Sequence, residues 1–162
     1  MRIGLISDTH SYLEPKVEKY FKECDEIWHT GDVGNIDVIK LLTKIKTVRG
    51  VYGNVDGQDI RKIFPKDAKF TCEEVKVWMT HIGGYPNRYS QDVRDRIKIA
   101  PPNLFICGHS HILKVIYDKQ YKLLHMNPGA VGDYGIHKVK TLLRFVIEEK
   151  NIKNLEVIEL SK

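Results

Sequence analysis

The 162-residue chain is short of the features that mark several whole classes of protein. Its three cysteines, Cys24, Cys72 and Cys107, are odd in number and form no CxxC pair, which argues for reduced thiols and a cytoplasmic protein rather than a disulfide framework. No apolar run approaches the roughly 20 residues that a membrane span needs, and the short apolar stretch after Met1-Arg2 runs straight into charged sequence, unlike a signal peptide. There is no internal repeat, low-complexity segment or linker, so a single domain over residues 1–162 is expected. No block of five or six like charges occurs either. The formal charge of +5 comes from 26 basic against 21 acidic residues spread along the chain, which describes a solvated surface. A nucleic-acid partner is not favoured, because no recognition module or basic-aromatic repeat is present.

What the chain does have is an ordinary globular composition, 42% hydrophobic and 29% charged, and a recurring pattern of short apolar runs ending in polar clusters. Ile3-Gly4-Leu5-Ile6 reads as a buried strand that stops at Ser7-Asp8-Thr9-His10. Val17, Tyr20, Phe21 and Cys24 then fall on one helical face, with Pro15 suited to its first turn. Glu26 to His29 forms a second strand entering Thr30-Gly31-Asp32. Val38, Leu41, Leu42 and Ile45 mark a second helix, and Thr47 to Arg49 a third strand before the turn Gly53-Asn54-Val55-Asp56-Gly57. This alternation predicts a mostly parallel sheet with its functional loops on one edge.

Farther along, Phe70–Glu73 and Val75–Thr80 read as two strands, the second delivering His81 at its end. A helix carrying Val93, Ile97 and Ala100 stops at Pro101-Pro102. Leu104 to Cys107 is a short buried strand ending in Gly108-His109-Ser110-His111, and the remaining strands are expected at 114–118, 122–126, 141–148 and 155–159. Asp8, His10, Asp32, Asn54, His81, His109 and His111 thus all lie just beyond strand ends. In a parallel sheet those ends converge, bringing together more metal-competent groups than one tetrahedral ion uses. The pair His109 and His111 is the strongest signal, because two imidazoles with nothing apolar between them are costly to bury unpaired.

Five blocks in order, Asp8-Thr9-His10, Gly31-Asp32, Gly53-Asn54, Thr80-His81 and Gly108-His109-Ser110-His111, resemble the calcineurin-like metallophosphoesterases. The Asn127-Pro128-Gly129 turn resembles the small YfcE-type phosphodiesterase branch. The resemblance implies an α/β fold of two mixed β-sheets packed as a sandwich and flanked by helices, four layers in all. It also implies one metal held by Asp8, His10, Asp32 and His111 and a second by Asp32, Asn54, His81 and His109, with Asp32 bridging and Asn54 also contacting phosphate. The implied reaction is in-line attack of a metal-bridging hydroxide on a small phosphate ester or nucleotide. Two divalent ions are expected, manganese first, with zinc, iron, cobalt or nickel also suiting the ligands. A nuclease and a non-catalytic scaffold are the alternatives, and a homo-oligomer is compatible with the sequence.

Two departures qualify the resemblance. Val55 follows Asn54 where many relatives carry a histidine thought to protonate the leaving group, and Ile82-Gly83-Gly84 follows His81 where relatives often have another Gly-His pair. His29 reads as core or as support for a neighbouring ligand. Arg88, Tyr85 and Tyr89 in the loop after His81, and His137 and Lys138 later, are weaker candidates for substrate contact.

Overall fold

Strand β1 (Arg2–Ile6) alternates its side chains between two hydrophobic cores, and that alternation sets the layering of the molecule. Ile3 and Leu5 point into one core with Trp28, Val77, Met79 and Leu104. Ile6 points to the opposite core, with Val17, Phe21 and Leu42. The structure, a computed structural model, describes residues 1–161.

Two mixed five-stranded sheets result. In the first, β1, β2 (Glu26–His29) and β3 (Thr47–Gly50) run parallel, β9 (Val139–Glu148) adds antiparallel to β1, and β10 (Asn151–Ser161) antiparallel to β9, in the order β10-β9-β1-β2-β3. In the second, β5 (Val75–Thr80), β6 (Leu104–Ile106) and β8 (Leu123–Pro128) are parallel. Its edges, β4 (Asp67–Cys72) and β7 (Leu113–Asp118), are antiparallel, giving β4-β5-β6-β8-β7. The parallel β1-β2-β3 arrangement expected from the alternation in the first third is present, and the hairpins that turn at Glu73-Glu74 and Glu149-Lys150 add the antiparallel strands that make both sheets mixed. The sandwich implied by the family resemblance is the one observed.

Helices close the two outer faces. α1 (Lys16–Phe21) and α2 (Ile36–Ile45) cover the first sheet; Asn35 caps α2 by accepting from the Asp37 N–H. α4 (Gln91–Ile99) lays Val93 and Ile97 against Trp78 and Phe105 on the second sheet. Three details differ from the sequence reading. α1 ends at Phe21, so Cys24 joins its core through a turn, its N–H bonded to the Phe21 carbonyl. Leu41 and Ala100, each placed on an apolar helix face, are exposed. The four-residue α3 (Gln58–Arg61) was too short for its periodicity to register. All three cysteines are free and buried, and among the described residues no helix is long and apolar enough to cross a membrane.

Candidate metal centre

The carboxyl ends of β1, β2, β3, β5 and β6 meet at one edge, where the two sheets deliver loops toward each other. Six of the seven residues singled out from sequence come together there in two groups, Asp8 with His10 and His111, and Asp32 with His81 and His109. His111 Nε2 lies 3.2 Å from Asp8 Oδ1 and 3.2 Å from His10 Nε2. His81 Nε2 lies 3.2 Å from Asp32 Oδ2, and the same oxygen is 3.8 Å from His10 Nε2. One oxygen of Asp32 therefore faces histidines of both groups. Asn54 stands exposed on the rim, lining with His81 and Ile82 a cleft of about 440 Å³.

Each buried carboxylate uses its two oxygens differently. Asp8 Oδ2 accepts from the Ser7 hydroxyl (2.5 Å) and the His109 N–H (3.1 Å), whereas Oδ1 has no hydrogen-bond partner among the described residues. Asp32 Oδ1 accepts from the Val55 N–H (3.1 Å), leaving Oδ2 to the histidines. His81 follows the same division: Nδ1 is 2.8 Å from the Thr30 carbonyl and so carries the proton, while Nε2 is turned to Asp8 and Asp32. Burial opposes charge on His81, yet its hydrogen bond to Asp32 and the nearby Asp8 hold its pKa above the ordinary histidine value. Asp32 is pulled down, against its burial, by the same hydrogen bond and by the charge of His81. Buried acceptors with unused lone pairs, converging from both sides, fit divalent cations.

The loops that carry these groups are strained and braced. Asp8, His10, Asp32, His109 and His111 all have left-handed backbones, with φ between 46° and 68°, a conformation costing roughly 1–2 kcal/mol for a residue with a Cβ. His29 is one brace. The Gly31 N–H donates to its Nδ1 (3.1 Å), so Nε2 bears the proton and donates to Thr9 Oγ1 (3.0 Å), whose hydroxyl donates to the Val33 carbonyl (2.9 Å). Burial pushes the His29 pKa down to about 4, keeping the ring neutral as this chain requires. Asp56 is the other brace, accepting from the N–H groups of Gly53 (2.7 Å), Gly34 (2.8 Å) and Val33 (3.2 Å). Close approach also demands glycine at 53, since a Cβ there would come within 2.0 Å of Asp32 Oδ1.

The weaker candidates separate clearly. Tyr89 anchors its loop, its hydroxyl donating to Asp118 (2.7 Å), while Tyr85 and Arg88 line a cleft of about 290 Å³ that ends at His109. His137 packs its ring against His111 (5.3 Å between centroids), and Lys138 is exposed. Sequence reasoning overlooked Ser7, Asp56 and Tyr134, the last of which lays its ring 4.9 Å from that of His10. Only Asp56 left a trace, as an acidic residue in a turn where glycine and asparagine alone would have sufficed.

This arrangement agrees with an independent comparison of the sequence, in which residues 1–150 match the calcineurin-like phosphoesterase superfamily domain. The chain belongs to that superfamily. A probable metallophosphoesterase of Methanothermobacter thermautotrophicus is 28% identical over 137 residues, 80% of this chain and 77% of that protein. The fold is also that of an archaeal phosphodiesterase, with a TM-score of 0.79 at 24% identity, covering 99% of this chain and 100% of that one. Vps29 of Entamoeba histolytica, solved with zinc, superposes with a TM-score of 0.76 at 15% identity over 99% of each chain. The protein is thus a phosphoesterase of the calcineurin-like superfamily whose fold gathers two candidate His/Asp metal sites.

Proposed function

We propose that the protein is a metal-dependent phosphodiesterase that hydrolyses a small phosphate ester or nucleotide by in-line displacement at phosphorus at a binuclear centre. Asp8, His10, Asp32 and His111 hold one cation, and Asp32, Asn54, His81 and His109 hold the other. The observation that carries this reading is the placement of Asp32 Oδ2, 3.2 Å from His81 Nε2 and 3.8 Å from His10 Nε2, so that one carboxylate addresses both groups. Two divalent cations supply, when bound, a clamp on the phosphoryl oxygens and a water acidified enough to give hydroxide near neutral pH. Manganese is the expected ion.

The chain's own residues do the rest. Asp8 and Asp32 anchor one oxygen each and present the other, so the cations meet preoriented ligands. His29 and Asp56 hold the loops of Thr9, Val33 and Gly53 in register. Asn54, exposed at the rim of the cleft, is assigned contact with a phosphate oxygen on this reading. Val55, exposed beside it, offers no proton to a departing alkoxide, so esters of good leaving groups such as aryl alcohols are the expected substrates. The archaeal phosphodiesterase with this fold supports a diester over a monoester.

The test is metal analysis coupled to turnover. Purified protein reconstituted with manganese should carry two ions, hydrolyse bis-p-nitrophenyl phosphate and lose that activity to chelator. Asp32→Ala should lose both ions. Two ions retained in Asp32→Ala would overturn the bridging role, and a loaded protein inert toward every ester would overturn the enzymatic reading.

A further inference from the structure

The cleft on the side of Asn54 carries two cations that the scheme above does not use. It encloses about 440 Å³, and Arg61, Lys66 and Tyr52 line it together with Asn54 and His81. Arg61 is held there by two contacts. Its Nε–H donates to the Asp56 carbonyl (2.7 Å), and its guanidinium carbon lies 4.5 Å from the centre of the Tyr52 ring. Asp56 is also the residue whose carboxylate braces Gly53, so the guanidinium is tied to the turn that carries Asn54. Lys66 arrives beside the same tyrosine because the Tyr52 N–H donates to the Pro65 carbonyl (3.0 Å), one residue earlier in the chain.

Neither cation has an acidic partner among the described residues. Asp92, the carboxylate on the cleft wall, is paired with Arg96 (3.2 Å). Fixing a long side chain such as Arg61 costs conformational entropy, and here that cost is met without an ion pair to offset it. The guanidinium keeps the four N–H donors of its terminal nitrogens, a fork that grips two oxygens of one anion, and Lys66 adds a point charge. The cleft that ends at His109 is built differently. Its walls include the apolar surfaces of Ile82, Tyr85 and Ile112, its Lys114 ammonium lies 3.8 Å from the Tyr85 ring centre, and its Arg88 side chain has no contacts like those that fix Arg61. The ring of His125 in β8 beside it is wholly buried, with both nitrogens enclosed and without a hydrogen-bond partner among the described residues.

We propose that the cleft of Arg61 and Lys66 holds a second phosphate of the substrate, one that is not cleaved, so that the substrate is a phosphodiester bearing a further terminal phosphate. A phosphate monoester carries close to two negative charges at pH 7, which matches two unpaired cations better than a single carboxylate does. A diester with a neutral tail would leave both cations facing water. The proposal rests on the phosphodiesterase reading, whose failure the following experiment separates from its own.

Diesters sharing one leaving group isolate the second anion: alkyl p-nitrophenyl phosphates whose chain of two, three or four carbons ends either in a phosphate monoester or in a methoxy group. In each, a water oxygen bonds to the diester phosphorus, p-nitrophenolate departs and the water proton passes to solvent, so the ratio of kcat/KM values reports the terminal phosphate. At the best-fitting chain length the manganese-loaded protein should prefer the phosphate-terminated ester by roughly tenfold, chiefly through KM. Arg61→Met should bring that preference toward unity. Lys66→Met should cut it about threefold and serves if Arg61→Met does not fold, since the Lys66 side chain makes no hydrogen bond or ion pair among the described residues. Lys114→Met, which removes the same charge from the neighbouring cleft, should keep it. Calorimetry with propane-1,3-diol bisphosphate and with propyl phosphate needs no turnover; the bisphosphate should bind roughly tenfold tighter, and Arg61→Met should remove the difference. No preference at any chain length, a preference that survives both substitutions, or an equal fall in Lys114→Met overturns the proposal while the phosphodiesterase reading stands. A loaded protein that binds the bisphosphate through Arg61 but hydrolyses neither kind of ester supports the cleft and overturns the enzyme.

Discussion

The two groups of candidate ligands at the sheet edge use the same residue types but stand in different surroundings. Asp8, His10 and His111 are roofed. Tyr134 packs on His10, His137 packs on His111, and Gly135 sits so close that a Cβ there would lie 2.5 Å from His111 Nδ1. In the other group Asp32 and His81 are buried as well, but its third member opens to solvent. His109 is exposed, His81 lines the cleft of Asn54, and His109 lines the cleft above His125. Burial and packing fix a ligand's rotamer, whereas open space admits a substrate. Under the binuclear reading proposed above, the contrast gives retention of an ion to the first group and approach of the ester to the side of His109, with Asp32 shared between them.

The largest effect should come from the residue that supports both sides at once. Asp56→Ala would leave the N–H groups of Val33, Gly34 and Gly53 without their carboxylate, and these flank Asp32 and Asn54. A loss of about 3–5 kcal/mol in urea-denaturation stability is expected, with metal content falling at both positions. A variant of native stability that keeps both ions would show that the loops hold their shape without this brace.

Acid should act next, through His29, which joins Thr9 on the roofed side to Gly31 on the open side. Its pKa falls from 6.5 in the unfolded chain to about 4 when folded, as does that of His125. The unfolded chain therefore takes up the protons first. Stability from these groups is complete above pH 6.5 and is lost as pH falls toward 4, by roughly 3 kcal/mol for each histidine. Urea midpoints of the metal-free protein at pH 7 and pH 4.5 measure this. His125→Phe should remove about half of the pH dependence, and an unaltered slope in that variant would contradict the neutral state assigned to His125.

How much of this was legible in the sequence follows from the distances involved. The strand-end clusters Asp8-Thr9-His10 and His109-Ser110-His111 announce themselves locally, because polar residues abruptly end apolar runs. Helices α2 and α4 could be read from 3.6-residue spacing, although Leu41 shows that an apolar residue at the right interval can still face solvent. The acidic turn between β4 and β5 could be read locally, but the division into two sheets could not, since strand pattern does not say which strands pair across the chain. Nor could local reading find His125. It sits inside an apolar strand like any satisfied core histidine, and only the positions of Phe105, Tyr89 and Asn127 show that it lacks a partner. The left-handed backbone of five of the ligands was equally hidden, because asparagine, aspartate and histidine tolerate that conformation without requiring it.

The roofed and open sides can be told apart kinetically. Chelator should strip the reconstituted protein in two steps, the ion of the open side leaving roughly tenfold faster, so that protein quenched between the steps carries one ion per chain by metal analysis. Loss of both ions in a single step would mean that the roof contributes nothing to retention.

Tyr134→Ala sharpens the same comparison with the smallest change. Tyr134 is 70% exposed, so its removal should shift stability by no more than about 0.5 kcal/mol. Its ring nonetheless covers one face of His10, and ring pairs of this kind contribute about 0.5–1.5 kcal/mol. The slow step of chelation should therefore quicken by roughly threefold while the fast step keeps its rate, because His81 and His109 do not touch the roof. A quickening of both steps would place Tyr134 in the support of Asp32 rather than of His10, and would shift the asymmetry of the centre from its cover to its bridge.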